Sequence, residues 1–307
     1  MQGERQAGTV GVIGLGAMGF GVAKSLLRAG FDVCAFDVRA EALTKFEALG
    51  GKACASPQDL ASLCDVLIIQ VVNAEQTELV LFGSEGAVTA LKPGSLVISC
   101  ATVAPAFIEG LEEKLRQQEI WLLDAPMSGG AAKAASGDMT LMTSGPAEAY
   151  ARAEKVLPAI AGKIYRLGEK VGVGTRVKIV NQHLAGIHIA AAAEAMALGI
   201  REGADPATLF DVITHSAGNS WMFENRIPHI LAGDYTPLSA VDIFVKDLGL
   251  ALDTARRTKF PLPLAATAHQ MFLNASAAGY GREDDSAVIK TFPGITLPAS
   301  SAGTPHE

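Results

Sequence analysis

One run of residues constrains this chain more than any other: Gly14-Leu15-Gly16-Ala17-Met18-Gly19. It follows the apolar segment Thr9–Ile13 and precedes a segment, 17–29, in which Met18, Val22 and Leu26 fall on one helical stripe. Glycines at this spacing between a strand and a helix meet three demands. The first permits a tight turn, the second lets the backbone approach a bound group, and the third allows the helix to pack closely on the strand. The helix beyond the turn points its unpaired N–H groups and the positive end of its dipole at whatever anion lies over the glycines.

The next apolar run, 31–36, ends on Asp37, at about the 20-residue offset where an acid meets the ribose of a dinucleotide. A carboxylate there accepts hydrogen bonds from both ribose hydroxyls and repels a 2′-phosphate, so the expected cofactor is NAD. Arg39 is the opposing signal, because a guanidinium close by would pair with that phosphate.

The first half continues as alternating strand and helix patterns. Ser56-Pro57-Gln58-Asp59 combines a capping serine, proline at the first helical position and an acid in the first turn. Segment 65–72 is apolar on both faces, as a central parallel strand is. Lys92-Pro93-Gly94 is a turn, and 95–99, 120–123 and Met139–Thr143 are further strands. From 172 to 289 the patterns are helical, with 178–201 expected as one helix of about 36 Å at 1.5 Å per residue. The expected architecture is an N-terminal α/β Rossmann domain with a doubly wound, mostly parallel sheet (1–171). An all-α domain (172–298) and a short flexible tail (299–307) complete it.

Several function classes are excluded by composition. The net charge is −7 and no Lys/Arg run occurs, so no nucleic-acid partner is expected. The four cysteines form no CxxC pair and the six histidines no HExxH pattern, so no metal is expected, and the thiols read as buried groups in a reducing compartment. The most apolar stretch, 184–200, is broken by His188 and Glu194 and reads as a buried helix, not a membrane span. Residues 1–8 lack the apolar core of a signal peptide, so the expected location is the cytoplasm. The alanine-rich segment 190–197 suits close helix packing between subunits, as in a dimer or tetramer.

Four motifs in fixed order carry a resemblance. They are the glycine run, Asp124-Ala125-Pro126-Met127-Ser128-Gly129-Gly130, Gly174 with Lys178 and Asn181-Gln182, and Lys246-Asp247-Leu248. Together they resemble the β-hydroxyacid dehydrogenase family from about Val10 to Phe292. The resemblance implies that Lys178 is the catalytic general acid/base and that Ser128, Gly129 and Gly130 cradle a substrate carboxylate. It makes Asn73, Thr102 and Lys246 cofactor contacts, beside Gly14, Leu15, Gly16, Ala17, Met18, Gly19 and Asp37, and Asn181 and Gln182 substrate contacts. By residue type alone, Thr102 would cap a helix, Asn73 would form a turn, and Lys246 would pair with Asp242 on a surface. One departure stands out. The family places Asn four residues after the lysine, and Gln182 is there instead, with Asn181 one residue earlier. Gln keeps the amide but is one methylene longer.

Segments 218–226, 233–237 and 278–281 resemble the branch that acts on four-carbon sugar acids. The activity so implied is NAD-dependent oxidation at C2 to the 2-oxo acid, with L-threonate as substrate. The alternatives are an NAD(P)H-dependent reductase of tartronate semialdehyde or glyoxylate, a 3-hydroxyisobutyrate dehydrogenase, and an inactive dinucleotide-binding oligomerisation module.

Overall fold

The computed structural model describes residues 8–299. The expectations for residues 1–7 and for the tail beyond 299 lie outside the described residues. The described residues fall into two compact units, divided after Lys178.

The first unit is built on six parallel strands: β1 (Thr9–Ile13), β2 (Asp32–Phe36), β3 (Lys52–Ala53), β4 (Val66–Ile69), β5 (Leu96–Ser99) and β6 (Trp121–Asp124). Their order is β3-β2-β1-β4-β5-β6, the doubly wound arrangement expected. Alternate side chains feed two separate cores. Val10, Val12, Val33, Ala35, Ile68 and Ile98 enter one, and Ile13, Cys34, Leu67, Ile69 and Val97 the other. A strand buried on both faces has no polar side to show, which is why 65–72 reads as continuously apolar. All four cysteines are buried and unpaired, with three in the second core and Cys100 in the first.

Helices α1 (Ala17–Arg28), α2 (Ala40–Glu47), α3 (Pro57–Ala61), α4 (Ala74–Phe82) and α5 (Pro105–Arg116) make the crossovers. Beyond them lies a three-stranded sheet of β7 (Met127–Ser128), β8 (Met139–Thr143) and β9 (Ala161–Arg166), with α6 (Gly130–Ser136), α7 (Ala147–Ala153) and α8 (Leu157–Ile160). The strand expected at 139–143 therefore belongs to this smaller sheet, antiparallel to β7 and parallel to β9.

Helix α9 (Val173–Arg201) starts five residues before the expected 178 and runs unbroken into the second unit. It is long and apolar enough to cross a membrane by length and composition. From Ile189 to Ala197, however, it supplies the core of the second unit, so Ala190, Ala192, Ala193 and Ala197, expected to pack between subunits, pack within the chain instead. That unit is helical, as expected, with α10 (Pro206–Thr214), α11 (Trp221–Ala232), α12 (Val241–Arg257) and α13 (Pro263–Ala275). Phe244 of α12 stacks on Phe272 of α13 at 5.3 Å between ring centroids. Trp221 is 57% exposed at the first position of α11.

Candidate active site

The glycine turn is assembled where β1 and β4 release their chains to opposite sides of the sheet, the switch point at which open α/β sheets bind ligands. Gly14 has φ +95°, and a Cβ there would lie 2.7 Å from the Gln70 carbonyl oxygen. At Gly19 a Cβ would lie 1.9 Å from the Gly14 carbonyl oxygen, so the third glycine is what lets α1 seat on the turn. Over Gly16 nothing lies within 4 Å of a built Cβ, leaving room for a group to approach the backbone. Gly16 caps α1 without a side-chain hydrogen bond, and the first turn, with Ala17 and Met18, holds no acid. The donors in this first helical turn therefore fit a diphosphate, with no acid within the turn to compete.

Asp37 follows β2 and reaches across to the turn, where the Leu15 N–H donates to its Oδ2 at 2.6 Å. Arg39 donates from Nε to Oδ1 at 3.0 Å and from Nη2 to Oδ2 at 3.1 Å, and also from Nη2 to the Leu15 carbonyl at 2.9 Å. Burial pushes the Asp37 carboxyl up, but the hydrogen bonds from Arg39 and Leu15 outweigh it and hold the group below its ordinary value. The acid and the opposing cation read from the sequence are thus partners, and Arg39 covers the outer edge of the carboxylate.

Asn73 follows β4 and Thr102 follows β5, both at carboxyl ends of central strands. Asn73 is the N-cap of α4: its side-chain oxygen accepts from the Gln76 N–H at 2.8 Å, while Gln76 Oε1 accepts from the Val72 N–H at 2.9 Å. Thr102 does not cap α5, whose N-cap is Ala104.

Ser128 ends β7, and Gly129 (φ +140°) and Gly130 (φ +76°) turn the chain into α6. Two successive left-handed positions are open to glycine alone at low cost, and such turns gather backbone N–H groups into an anion-binding concavity. Helix α1 holds the next segment in place. Ser25 Oγ donates to the Ala134 carbonyl at 2.8 Å, and Arg28 Nη1 to the Ala135 carbonyl at 2.8 Å. The cofactor helix and the expected substrate cradle are therefore one packed substructure.

Lys178 lies in the second turn of α9 and is 7% exposed. Gly174, one turn earlier, sits so close to β8 that a Cβ would fall 2.2 Å from the Met142 carbonyl oxygen. A buried network fixes this helix start. Asp124 Oδ2 accepts from the N–H groups of Gly172 (3.0 Å) and Thr175 (2.8 Å) and from Ser144 Oγ (3.1 Å). Asp124 Oδ1 accepts from Thr175 Oγ1 at 2.7 Å, and Ser144 Oγ accepts from the Gly174 N–H at 2.9 Å.

In the second unit, Asn181, Gln182, Lys246 and Asp247 form one chain of hydrogen bonds. Asn181 Nδ2 donates to Gln182 Oε1 at 3.1 Å, Gln182 Nε2 donates to Asp247 Oδ2 at 2.6 Å, and Lys246 Nζ donates to Asp247 Oδ1. Asp247 is 2% exposed. The pairing of Lys246 with Asp242 is not made. Asp242 instead accepts from Ser276 Oγ at 2.6 Å, and the adjacent Asp247 takes the lysine. The departure at Gln182 has a structural consequence: its amide is pinned from both ends.

Asp124 and Asp247 stand inside the sequence motifs, yet the sequence alone assigns neither a role. The signal is available in principle, since an acid flanked by apolar residues in a buried element must be paired or hydrogen-bonded. No group of three or more His, Cys, Asp or Glu able to hold a metal occurs among the described residues.

Two family models match the chain. Residues 9–168 match the NAD binding domain of 6-phosphogluconate dehydrogenase, and residues 172–292 the NAD-binding domain of NADP-dependent 3-hydroxyisobutyrate dehydrogenase. The chain is 70% identical over 292 residues to the L-threonate dehydrogenase of Cupriavidus necator, covering 95% of this chain and 98% of that one. It is 52% identical to the L-threonate dehydrogenase of Escherichia coli K12, covering 95% and 97%. A crystal structure of a Salmonella typhimurium 3-hydroxyisobutyrate dehydrogenase superposes with a TM-score of 0.89 at 52% identity, covering 93% of this chain and all of that one.

Proposed function

The chain belongs to the β-hydroxyacid dehydrogenase family, and from that premise we propose that it oxidises L-threonate at C2 to 2-dehydro-L-erythronate with NAD. The observation that carries the reading is the 70% identity to an L-threonate dehydrogenase along nearly the whole of both chains. NAD, when bound, takes the hydride from C2. The turn at Gly14–Gly19 holds its diphosphate and Asp37 its adenosine ribose, while Asn73 and Thr102 stand at the strand ends that serve the nicotinamide. The capping bond uses the Asn73 oxygen, so its amide nitrogen is the group offered to a ligand.

Ser128 and the N–H groups of Gly129 and Gly130 bind the substrate carboxylate. Lys178 Nζ accepts the proton of the C2 hydroxyl as the C–H bond breaks and the carbonyl forms. Asn181 and Gln182 contact substrate hydroxyls, and Lys246 contacts cofactor or substrate. Asp247 sets the direction of the Gln182 amide, which replaces the family's shorter Asn.

NADH absorbance with L-threonate, glycerate and 3-hydroxyisobutyrate, and NADH consumption with glyoxylate and tartronate semialdehyde, test the substrate. L-Threonate is expected to give the highest kcat/KM, and Lys178→Ala to bind NADH with little turnover. A higher kcat/KM for 3-hydroxyisobutyrate would favour the activity given for the Salmonella structure. NADH binding with no turnover of any substrate would favour a non-catalytic module.

We take the functional division to run near residue 171; the gap between the two family matches supports this, while the compact units divide slightly later, after Lys178. Four unpaired buried cysteines suit a cytoplasmic protein. Val180, Leu184 and Leu198 of α9 are exposed at helical spacing. A second copy of the chain covers this stripe, and light scattering on the purified protein tests for the dimer or tetramer.

A further inference from the structure

We infer that Asp124 is a positioning residue for the reaction: it locks the start of α9 so that Lys178 and the substrate cradle are held by one carboxylate. The inference rests on the reading of Lys178 as the general base.

Asp124 ends β6 and is 1% exposed. A carboxylate at that depth costs several kcal/mol unless it is paired or fully hydrogen-bonded. The donors to its side chain are neutral groups. Three of the four come from the beginning of α9: the N–H groups of Gly172 and Thr175 and the Thr175 hydroxyl. The fourth comes from Ser144, whose Oγ in turn accepts from the Gly174 N–H. A helix start leaves its first N–H groups without intrahelical partners and concentrates positive charge there, so one buried carboxylate and a helix N-terminus satisfy each other.

The geometry leaves little slack. Gly172 stands at φ +95°, and Gly174 meets the β8 backbone at a distance no side chain tolerates. Lys178 lies three residues beyond Thr175 and four beyond Gly174, on the face those residues present to the strand ends. In the other direction along the chain, Asp124 leads within four residues to Ser128. The carboxylate thus fixes both the helix that carries the base and the strand end that feeds the cradle.

The test uses the full chain with Asp124→Asn, Thr175→Val, Thr175→Ser and, as reference, Lys178→Ala. Asparagine keeps the shape but removes the negative charge at the helix start, and its NH2 finds an acceptor only if the Thr175 hydroxyl reverses from donating to accepting. A misplacement of about 1 Å costs on the order of 100-fold in rate. Asp124→Asn is therefore expected to lower kcat roughly 10- to 100-fold, with NADH affinity nearly unchanged. Thr175→Val, which keeps the backbone donor and the side-chain shape, is expected to lower kcat in the same sense, and Thr175→Ser to restore it. In the protein without cofactor, amide exchange at Gly172 and Thr175 is expected to be faster in Asp124→Asn than in the parent. A lower Tm with kcat of both Asp124→Asn and Thr175→Val at the parent value would make the network structural only and overturn the inference. Lys178→Ala separates the two readings. If it abolishes turnover while the other variants keep theirs, only the positioning role fails; if it retains turnover, the base assignment fails and the inference with it.

Discussion

Replacing Asp37 by alanine tests the cofactor reading most directly. The carboxylate already accepts from the Leu15 N–H at 2.6 Å and carries the Arg39 guanidinium. A ribose diol adds two hydroxyl donors to a charged acceptor, each worth about 1.5–3 kcal/mol. Losing both costs at least about 3 kcal/mol, or roughly 100-fold in NADH affinity at 1.4 kcal/mol per decade. The opposite effect applies to NADPH. A unit charge on its 2′-phosphate about 4 Å from the carboxylate is repelled by about 4 kcal/mol at an effective dielectric of 20, less where water screens it. Alanine removes that repulsion and releases Arg39, whose guanidinium is otherwise committed to Asp37 and the Leu15 carbonyl. Fluorescence titration with NADH and NADPH is therefore expected to show NADH weakened by about 100-fold or more and NADPH strengthened. Steady-state rates should follow through KM, with kcat little changed, because Asp37 is not among the groups assigned to proton transfer. An Asp37→Ala protein that still prefers NADH by the parent ratio would refute the assignment. Arg39→Ala in the Asp37→Ala background should reverse the gain in NADPH affinity.

Two further perturbations probe the scaffold. Gly174→Ala places a methyl group 2.2 Å from the Met142 carbonyl oxygen and must push α9 away from β8. It is expected to cost about 1–3 kcal/mol, read as a lower Tm, and to reduce kcat more than NADH affinity. In the second unit, Arg226 Nε donates to Asp285 Oδ1 at 2.5 Å in a buried pair. Burial pushes the Asp285 carboxyl up from an ordinary 3.8 to about 6, against the opposing pull of Arg226. Because the folded value is raised, its contribution favours the fold below pH 3.8 and is lost as pH rises through about 6, a change of about 3 kcal/mol. The Tm difference between the parent and Asp285→Asn should therefore shift against the parent between pH 4 and 6. A shift the other way would mean that the pairing with Arg226 outweighs the cost of burial.

The parts of the fold legible in the sequence each obey a single local rule. The glycine turn is legible because Gly14 and Gly19 each answer a separate close approach while Gly16 leaves the backbone open, all at fixed spacing. The central strands are legible because burial on both faces leaves an unbroken apolar run, as at Leu67, Ile68 and Ile69. Strands β3 and β9 are not. The first has two residues, and the second is largely exposed, with polar and apolar residues that do not alternate cleanly. The start of α9 escapes sequence reading for a tertiary reason. Gly174 inside the helix costs about 1 kcal/mol against alanine, and Gly172 just before it reads as a turn, so local propensity places the boundary later, at 178. The carboxylate of Asp124, remote in sequence, supplies acceptors for Gly172 and Thr175 and moves the start back.

A similar contrast separates the cofactor from the substrate. The groups proposed to hold the dinucleotide are largely backbone N–H groups and one carboxylate, and backbone geometry writes itself into glycine spacing. The groups proposed to meet the hydroxy acid are side-chain amides and ammonium groups, whose direction depends on hydrogen bonds made elsewhere. Gln182 illustrates this: Asp247, 65 positions away, and the adjacent Asn181 together fix its amide. A methylene longer than the family's Asn, it still offers an amide with one defined orientation, since rotation would set its oxygen against the Asp247 carboxylate. If Gln182 contacts the substrate as proposed, substrate choice rests on the Gln182–Asp247 pair, and exchanging only one member is expected to break the pair without transferring the specificity.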